Sequence, residues 1–348
     1  MVEQRDIEII SKNPIDWEIF RNKTVLVTGA TGRLGMYFVE AISKANIDWN
    51  LNITILLLAR SREKLQEVFG RSLSLPYIYV LIQDIVEPIC WKGSIHYIFH
   101  TAGLASPRDF TNWPVDTLWG HVQGTYNILE LARKKKSKKV LYVSTVEIYG
   151  EWREGKDICE EDMGVMHCDN ARACYPEAKR LCETMLASYG AQYHVPYVVA
   201  RLCHTFGPGI SLDDGRAFSE FIRNVIEKKD IVLQSDGSAV RTYTYVADAI
   251  GAMLLAFTKG KDTEYNIANT ENLISIKDLA YLITKLDTSG KVKVRYADQE
   301  GKKLSYLPFK LGIMNVSRIM KLGWRPQVGL EDAFRYTLES FQQRSEIK

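Results

Sequence analysis

The stretch TVLVTGATGRLGMYFVEAISKA, residues 24–45, constrains the fold more than any other part of this chain. A β-branched run (24–28) leads into Gly29, Gly32 and Gly35, and then into a helical apolar pattern. Glycine lets a chain turn tightly, lets its backbone approach a pyrophosphate, and lets a helix pack close to the strand that feeds it. The helix N-terminus then offers N–H donors and a positive dipole end to an anion. A lone glycine triplet is weak, but one that follows a strand and opens a helix near the N-terminus points to dinucleotide binding. The expected cofactor contacts are Gly29, Thr31, Gly32, Arg33, Leu34 and Gly35.

Further apolar runs follow at 53–58, 77–82, 95–99, 139–143 and 197–202, with helical patterns between most of them. Strands alternating with helices predict a parallel sheet with crossovers, an α/β fold of the Rossmann type, doubly wound. After residue 203 the punctuation changes to FGPG (206–209), DDG (213–215) and SDG (235–237), loops around a helix at 216–229. A strand-like TYTYV (242–246), the helix ADAIGAMLLAFT, and helical patterns at 275–287 and 330–342 complete the chain. The expected organisation is an N-terminal extension of unassigned role (1–22), a dinucleotide-binding domain (23–202 plus 240–267) and a smaller C-terminal α/β substrate lobe (203–239 plus 268–348).

A net charge of +3 over 348 residues is too small to argue for nucleic acid. The run RKKKSKK (133–139) reads as a solvated helix end, where cations favour the negative pole of the dipole. Six cysteines show no CxxC pair and no zinc-ligand spacing, so reduced thiols and no metal are expected. The N-terminus lacks a signal-peptide apolar core and no apolar run reaches membrane-spanning length, so a cytoplasmic protein without membrane contact is expected.

The end of the second strand bears on the type of dinucleotide. An acidic residue there suits the ribose hydroxyls of NAD, whereas LLLARSREK places Arg60 and Arg62 in that neighbourhood. A guanidinium fork binds a 2′-phosphate that a carboxylate repels, so NADP is favoured and NAD stays open. Asp84, followed by Ile85 after the third strand, suits the adenine amino group or, equally, a loop cap.

Tyr175 and Lys179, in ACYPEAK, are four residues apart and project from one helix face. Pro176 between them is tolerated in a first helical turn. Six ordered motifs surround this pair: TGATGRLG (28–35), FHTAG (99–103), VSTVEIYG (143–150), CYPEAK (174–179), RLCHTFGPG (201–209) and GSAVRTYTYVADA (237–249). Together they resemble the extended short-chain dehydrogenases/reductases that act on nucleotide sugars, over nearly the whole chain after residue 22.

The resemblance implies that Tyr175 is the catalytic acid or base, Lys179 its electrostatic partner and Thr145 the hydroxyl that positions substrate. Poising a tyrosine for base work near neutrality takes about three pKa units, or ~4 kcal/mol, of preferential phenolate stabilisation. A lysine ammonium and a positive nicotinamide ring are fitted to supply it. The resemblance also implies that Thr101, Ala102 and Gly103 line the dinucleotide with Tyr175 and Lys179. It further implies that a nucleoside-diphosphate sugar is oxidised at C4, and that elimination, decarboxylation or epimerisation follows from the 4-keto sugar.

Glu147 matches a glutamate that dehydratases use at C5 and that sugar-acid decarboxylases also carry. Val146 stands where hexose dehydratases commonly have an aspartate, and it donates no proton. GPGISLDDGRAFSEFI (207–222) resembles the UDP-glucuronate decarboxylase branch, with Arg216 and Arg241 as diphosphate contacts or, alternatively, ion pairs. The segment LPFKLGIMNVSRIMKLGW (307–324) lacks the arginine pair that decarboxylases place before it.

Gly103 replaces the second alanine of the usual HxAA stretch, and His121 stands where asparagine is usual; His121 receives no role. His100 is read as lining the cofactor pocket, and Trp113 and Trp119 as packing aromatics. An NADPH-dependent keto-sugar reductase is an alternative enzyme, and a non-catalytic dinucleotide sensor an alternative of another class. A homodimer through helices near 115–134 and 175–190 is expected by resemblance.

Overall fold

A computed structural model describes residues 2–152, 156–297 and 312–346. The part of the 307–324 segment before residue 312 lies outside the described residues. The helices are α1 (Gln4–Ser11), α2 (Arg33–Asp48), α3 (Arg62–Phe69), α4 (Pro107–Asn112), α5 (Pro114–Lys135), α6 (Cys174–Tyr193), α7 (Ala217–Ile226), α8 (Val246–Lys259), α9 (Ile276–Lys285), α10 (Ser317–Lys321) and α11 (Leu330–Glu346). The main strands are β1 (Thr24–Thr28), β2 (Thr54–Ala59), β3 (Ile78–Ile82), β4 (Tyr97–His100), β5 (Lys139–Thr145) and β6 (Tyr197–Leu202). They continue with β7 (His204–Phe206), β8 (Ile231–Leu233), β9 (Val240–Tyr245), β10 (Glu264–Ile267), β11 (Leu273–Ser275) and β12 (Val294–Tyr296).

Among the described residues seven strands form one sheet in the order β10-β6-β5-β4-β1-β2-β3. Every neighbouring pair in it is parallel. The order reverses between β1 and β4, and the crevice at the carboxyl ends of those two strands is where such a sheet takes a ligand. Side chains alternate across the sheet: Val25 and Val27 join the core on one face, whereas Leu26 joins the core on the other, with Ile128 and Leu129 of α5 and Cys182 and Leu186 of α6.

A second sheet, β11-β9-β7, and the pair β12-β8 build the smaller lobe. β9, which the expected boundary at 240 assigns to the dinucleotide-binding domain, pairs with β7 and β11 and, among the described residues, with no strand of the main sheet. Only with α8 does the chain return to the main sheet. The buried Asp248 of α8 accepts the N–H groups of Gln327 and Val328, which ties the C-terminal segment to that helix.

The N-terminal extension becomes structural. Ile7, Ile9 and Ile10 of α1 are buried, and Asp6 accepts from Tyr37 at 2.5 Å and from Tyr245 at 2.7 Å. One carboxyl group thereby joins α2 of the dinucleotide half to β9 of the smaller lobe, and burial pushes its pKa up.

Candidate active site

The glycine turn is built by close approach. Gly29 has φ +63°, a left-handed backbone that glycine adopts freely, and a Cβ there would lie 2.8 Å from the Ala102 Cα. A Cβ on Gly35 would lie 2.3 Å from the Gly29 carbonyl oxygen. Gly32, the N-cap of α2, supplies no side-chain cap, so the first-turn N–H groups stay available to an outside acceptor. This bare helix end beside glycines that admit close backbone contact fits the pyrophosphate of a dinucleotide. Thr31 and Leu34 are partly buried in the same turn. The Arg33 side chain folds back to donate to the Thr205 carbonyl at 2.7 Å; burial and then Arg216 lower its pKa to about 10.

Thr101 and Ala102 continue this wall after β4. Both donate backbone N–H groups to the Thr28 hydroxyl at 3.2 Å, and the Thr101 hydroxyl returns a bond to the Thr28 carbonyl. His100 does not line the pocket: it is buried behind the wall between the Thr28 and Thr125 hydroxyls, at 2.9 and 3.3 Å. Burial, then Lys179, lowers its pKa to about 3, so it is neutral at physiological pH.

Arg60 and Arg62 are exposed at the end of β2 and the start of α3. Arg60 reaches Asp84 only at 4.0 Å, with 73% of its side chain exposed, so it is left available to an anion. Asp84 caps its own turn by accepting the Val86 N–H, and the Ile85 carbonyl is held by Asn127 at 2.9 Å.

The catalytic candidates meet at the carboxyl end of β5. Thr145 is the last residue of that strand; its hydroxyl accepts the Glu147 N–H at 3.3 Å and lies near enough to the Tyr175 phenol to favour the ionised form. Tyr175 and Lys179 lie in the first turns of α6, buried to 8% and 6% exposure, with Pro176 in the first turn. The Lys179 ammonium donates to the Val143 carbonyl at 2.7 Å and lies 4.6 Å from the Tyr142 ring and 5.8 Å from the Tyr175 ring. Burial lowers its pKa to about 8. Burial pushes the Tyr175 phenol well up and Glu147 adds to the rise; Arg216, the Thr145 hydroxyl and Arg172 oppose it. The direction is opposite to the one a facing cation alone would give, because desolvation of a buried ring outweighs it.

Two residues without a role in the sequence reading complete the pocket. Arg172 grips Glu147 by bonds of 3.2 and 2.9 Å to its two carboxylate oxygens, and its guanidinium lies 4.6 Å over the Phe110 ring. Phe110 in turn stacks on Tyr175 at 4.3 Å with 15° between planes, a contact worth about 0.5–1.5 kcal/mol beyond area burial. The signal for Arg172 was its place three residues before Tyr175; Phe110 offered none, being one aromatic among many.

Arg216, the N-cap residue of α7, bonds Asp214 at 2.7 Å and the Ala105 carbonyl at 2.5 Å, bridging the smaller lobe to the loop after β4. Arg241 on β9 is turned to the Val240 carbonyl. It is near enough to His204 that the two arginines, after burial, help lower that imidazole to about 3. Trp113 and Trp119 differ from the expectation of packing: about half of each is exposed, because they face outward from the N-cap and first turns of α5. Among the described residues no cluster of His, Cys, Asp and Glu is arranged to hold a metal ion, and no helix is long and apolar enough to cross a membrane.

Comparison with known proteins supplies the context for this geometry. A family model described as the NAD dependent epimerase/dehydratase family matches residues 25–268. UDP-glucuronic acid decarboxylase 1 of Xenopus tropicalis is 29% identical over 93% of this chain and 73% of its own length. UDP-glucuronic acid decarboxylase 6 of Arabidopsis thaliana is 27% identical over 93% of this chain and 90% of its own. Among solved structures, UDP-glucose 4-epimerase of Thermotoga maritima, with UDP-glucose, superposes with a TM-score of 0.79 at 23% identity, over 92% of this chain and 99% of that one. UDP-glucuronic acid 4-epimerase of Bacillus cereus gives 0.77 at 21%, over 92% and 99%. These two likenesses are likenesses of fold.

Proposed function

The chain belongs to the NAD dependent epimerase/dehydratase family, and on that premise we propose that it oxidises a nucleoside-diphosphate hexuronate at C4 and releases its carboxyl group as carbon dioxide. The observation that carries the reading is the buried Tyr175 phenol beside the Thr145 hydroxyl, with the buried Lys179 one turn along α6 held to the Val143 carbonyl near the carboxyl end of β5.

A bound dinucleotide supplies a hydride acceptor and a positive ring. Tyr175 takes the proton of the sugar hydroxyl, Thr145 orients that hydroxyl, and Lys179 offsets the negative charge left on the phenol oxygen. The carbonyl formed at C4 lies β to the C6 carboxylate, whose loss then needs no acid at C6. Val146 supports this over dehydration, since it offers no proton to a departing C6 hydroxyl. Glu147, which sugar-acid decarboxylases also carry, is held in place by two bonds from Arg172. The relatives that are named as UDP-glucuronic acid decarboxylases point the same way.

Incubation with UDP-, GDP-, CDP- and dTDP-sugars, read by product mass and nicotinamide absorbance, tests the reading. Loss of carbon dioxide from a UDP-hexuronate is expected; loss of water or an unchanged mass from every sugar would exclude decarboxylation. A second reading, a keto-sugar reductase, is favoured by Arg60 and Arg62 and predicts NADPH consumed in step with product. The same arginines support NADP as the preferred dinucleotide. A homodimer is part of the proposal: Val115, Leu118, Trp119 and Tyr126 on α5 and Leu181 on α6 are exposed apolar groups on two packed helices, suited to a second copy.

A further inference from the structure

We propose that Gly103 and His121 act as one unit that positions the catalytic tyrosine: the His121 imidazole occupies the space a side chain at 103 would need, and from there braces the Tyr175 ring. A Cβ on Gly103 would meet His121 Cε1 at 2.1 Å, Nδ1 at 2.5 Å and Nε2 at 3.0 Å, so its three nearest neighbours all belong to that ring. The Gly103 φ of +150° adds backbone strain for any other residue.

His121 is 2% exposed on α5. Its Nε2 lies 2.8 Å from the Leu104 carbonyl, which only accepts, so Nε2 carries the proton and the orientation of the ring is fixed. Among the described residues Nδ1 has no hydrogen-bond partner, and it faces Gly103. The imidazole meets Tyr175 at 5.5 Å between centroids and 60° between planes, while Phe110 of α4 stacks on the same phenol ring. The His121 carbonyl also accepts from Cys182 Sγ at 3.3 Å, so α5 and α6 are joined on the lysine side of the pocket. The titratable groups facing the imidazole are Tyr175 and Lys179 from α6 and His100 from β4, whereas the Cys182 thiol meets only the His121 backbone carbonyl; burial first and then Lys179 keep the ring neutral. Neutrality suits the role, since an imidazolium there would compete with Lys179 for the phenol oxygen.

The inference rests on Tyr175 being the acid–base group, and its test separates the two. Gly103→Ala, His121→Asn and the pair are compared with wild type by thermal midpoint, which needs no substrate, and by kcat, KM and the pH midpoint of kcat on the sugar nucleotide that is turned over. Asparagine is shorter and can still donate to Leu104. Gly103→Ala is expected to lower the midpoint by at least twice as many degrees in the wild-type background as in the His121→Asn background, because only the backbone strain remains in the pair. His121→Asn alone is expected to lower kcat about tenfold, with a shifted pH midpoint and KM changed less than about twofold. If Gly103→Ala does not fold, folding of the pair supports the coupling. Equal costs of Gly103→Ala in both backgrounds, or a His121→Asn enzyme with wild-type kcat and pH midpoint, would overturn the proposal. If no sugar is turned over by wild type while the thermal coupling holds, it is the functional reading that fails.

Discussion

Along residues 28–35 the wall of the crevice is backbone, whereas around Tyr175 it is side chains from distant parts of the chain. The first wall needs one continuous turn: Gly29 in a left-handed conformation, Gly35 against the Gly29 carbonyl, and a helix end with no side-chain cap. The second needs Thr145 from β5, Phe110 from α4, His121 from α5, and Tyr175 and Lys179 from α6, packed within contact of one another. Backbone donors with a dipole suit an anion that changes little during reaction. Side chains with shifted proton affinities suit the place where a proton moves.

Removing the phenol oxygen should separate the walls most sharply. Tyr175→Phe is expected to lower kcat by about 10³-fold or more and to leave dinucleotide affinity within about threefold, by stopped-flow and fluorescence titration. Undiminished turnover would end the assignment. The converse variant, Gly35→Ala, drives a methyl group into the Gly29 carbonyl and should weaken dinucleotide binding about 100-fold, with a lowered thermal midpoint. If the Gly35→Ala protein binds the dinucleotide normally, close backbone approach is not what makes the first wall.

Smaller changes sharpen the comparison. Replacing Arg60 and Arg62 by glutamate should weaken NADPH about tenfold and leave NADH little changed; equal losses for both would mean that neither arginine meets a 2′-phosphate. The smallest effect concerns stability. Lys179→Met removes a buried ammonium whose folded pKa is about 8 against an ordinary value of 10.5. Below pH 8 both folded and unfolded wild type carry that proton, and the burial cost is fully present. Between pH 8 and 10.5 the unfolded chain binds more protons, so wild type gains stability as pH rises. The variant should therefore be more stable at about pH 7, by on the order of 1–2 kcal/mol after loss of the Val143 bond, and the gap should close toward about pH 10. Denaturant midpoints across that range measure it; a gap independent of pH would place the titration elsewhere.

How much could be read in advance follows the same division. The parallel sheet was legible because each strand is a contiguous apolar run, and the runs at 53–58, 77–82, 95–99, 139–143 and 197–202 each overlap a strand of the main sheet. The placement of β9 in the second sheet was not, since TYTYV carries no mark of which neighbours it will pair with. Tyr175 and Lys179 were legible through their four-residue spacing, whereas Phe110 and Arg172 were ordinary residues until the chain brought them against Tyr175 and Glu147. The N-terminal extension carried no recognisable motif, yet Asp6 joins two tyrosines from opposite halves of the protein.

The sequence by itself determined what is local: a glycine turn between strand and helix, a phenol and an amine on one helix face, and a parallel order of elements. These follow from backbone conformational limits and short-range periodicity, which act over a few residues. Only the tertiary structure decided the charge balance at Tyr175, the grip of Arg172 on Glu147 and the fit of His121 against Gly103. Desolvation and steric exclusion depend on which distant groups share a space, and a linear order of residues does not contain that quantity until the chain has folded.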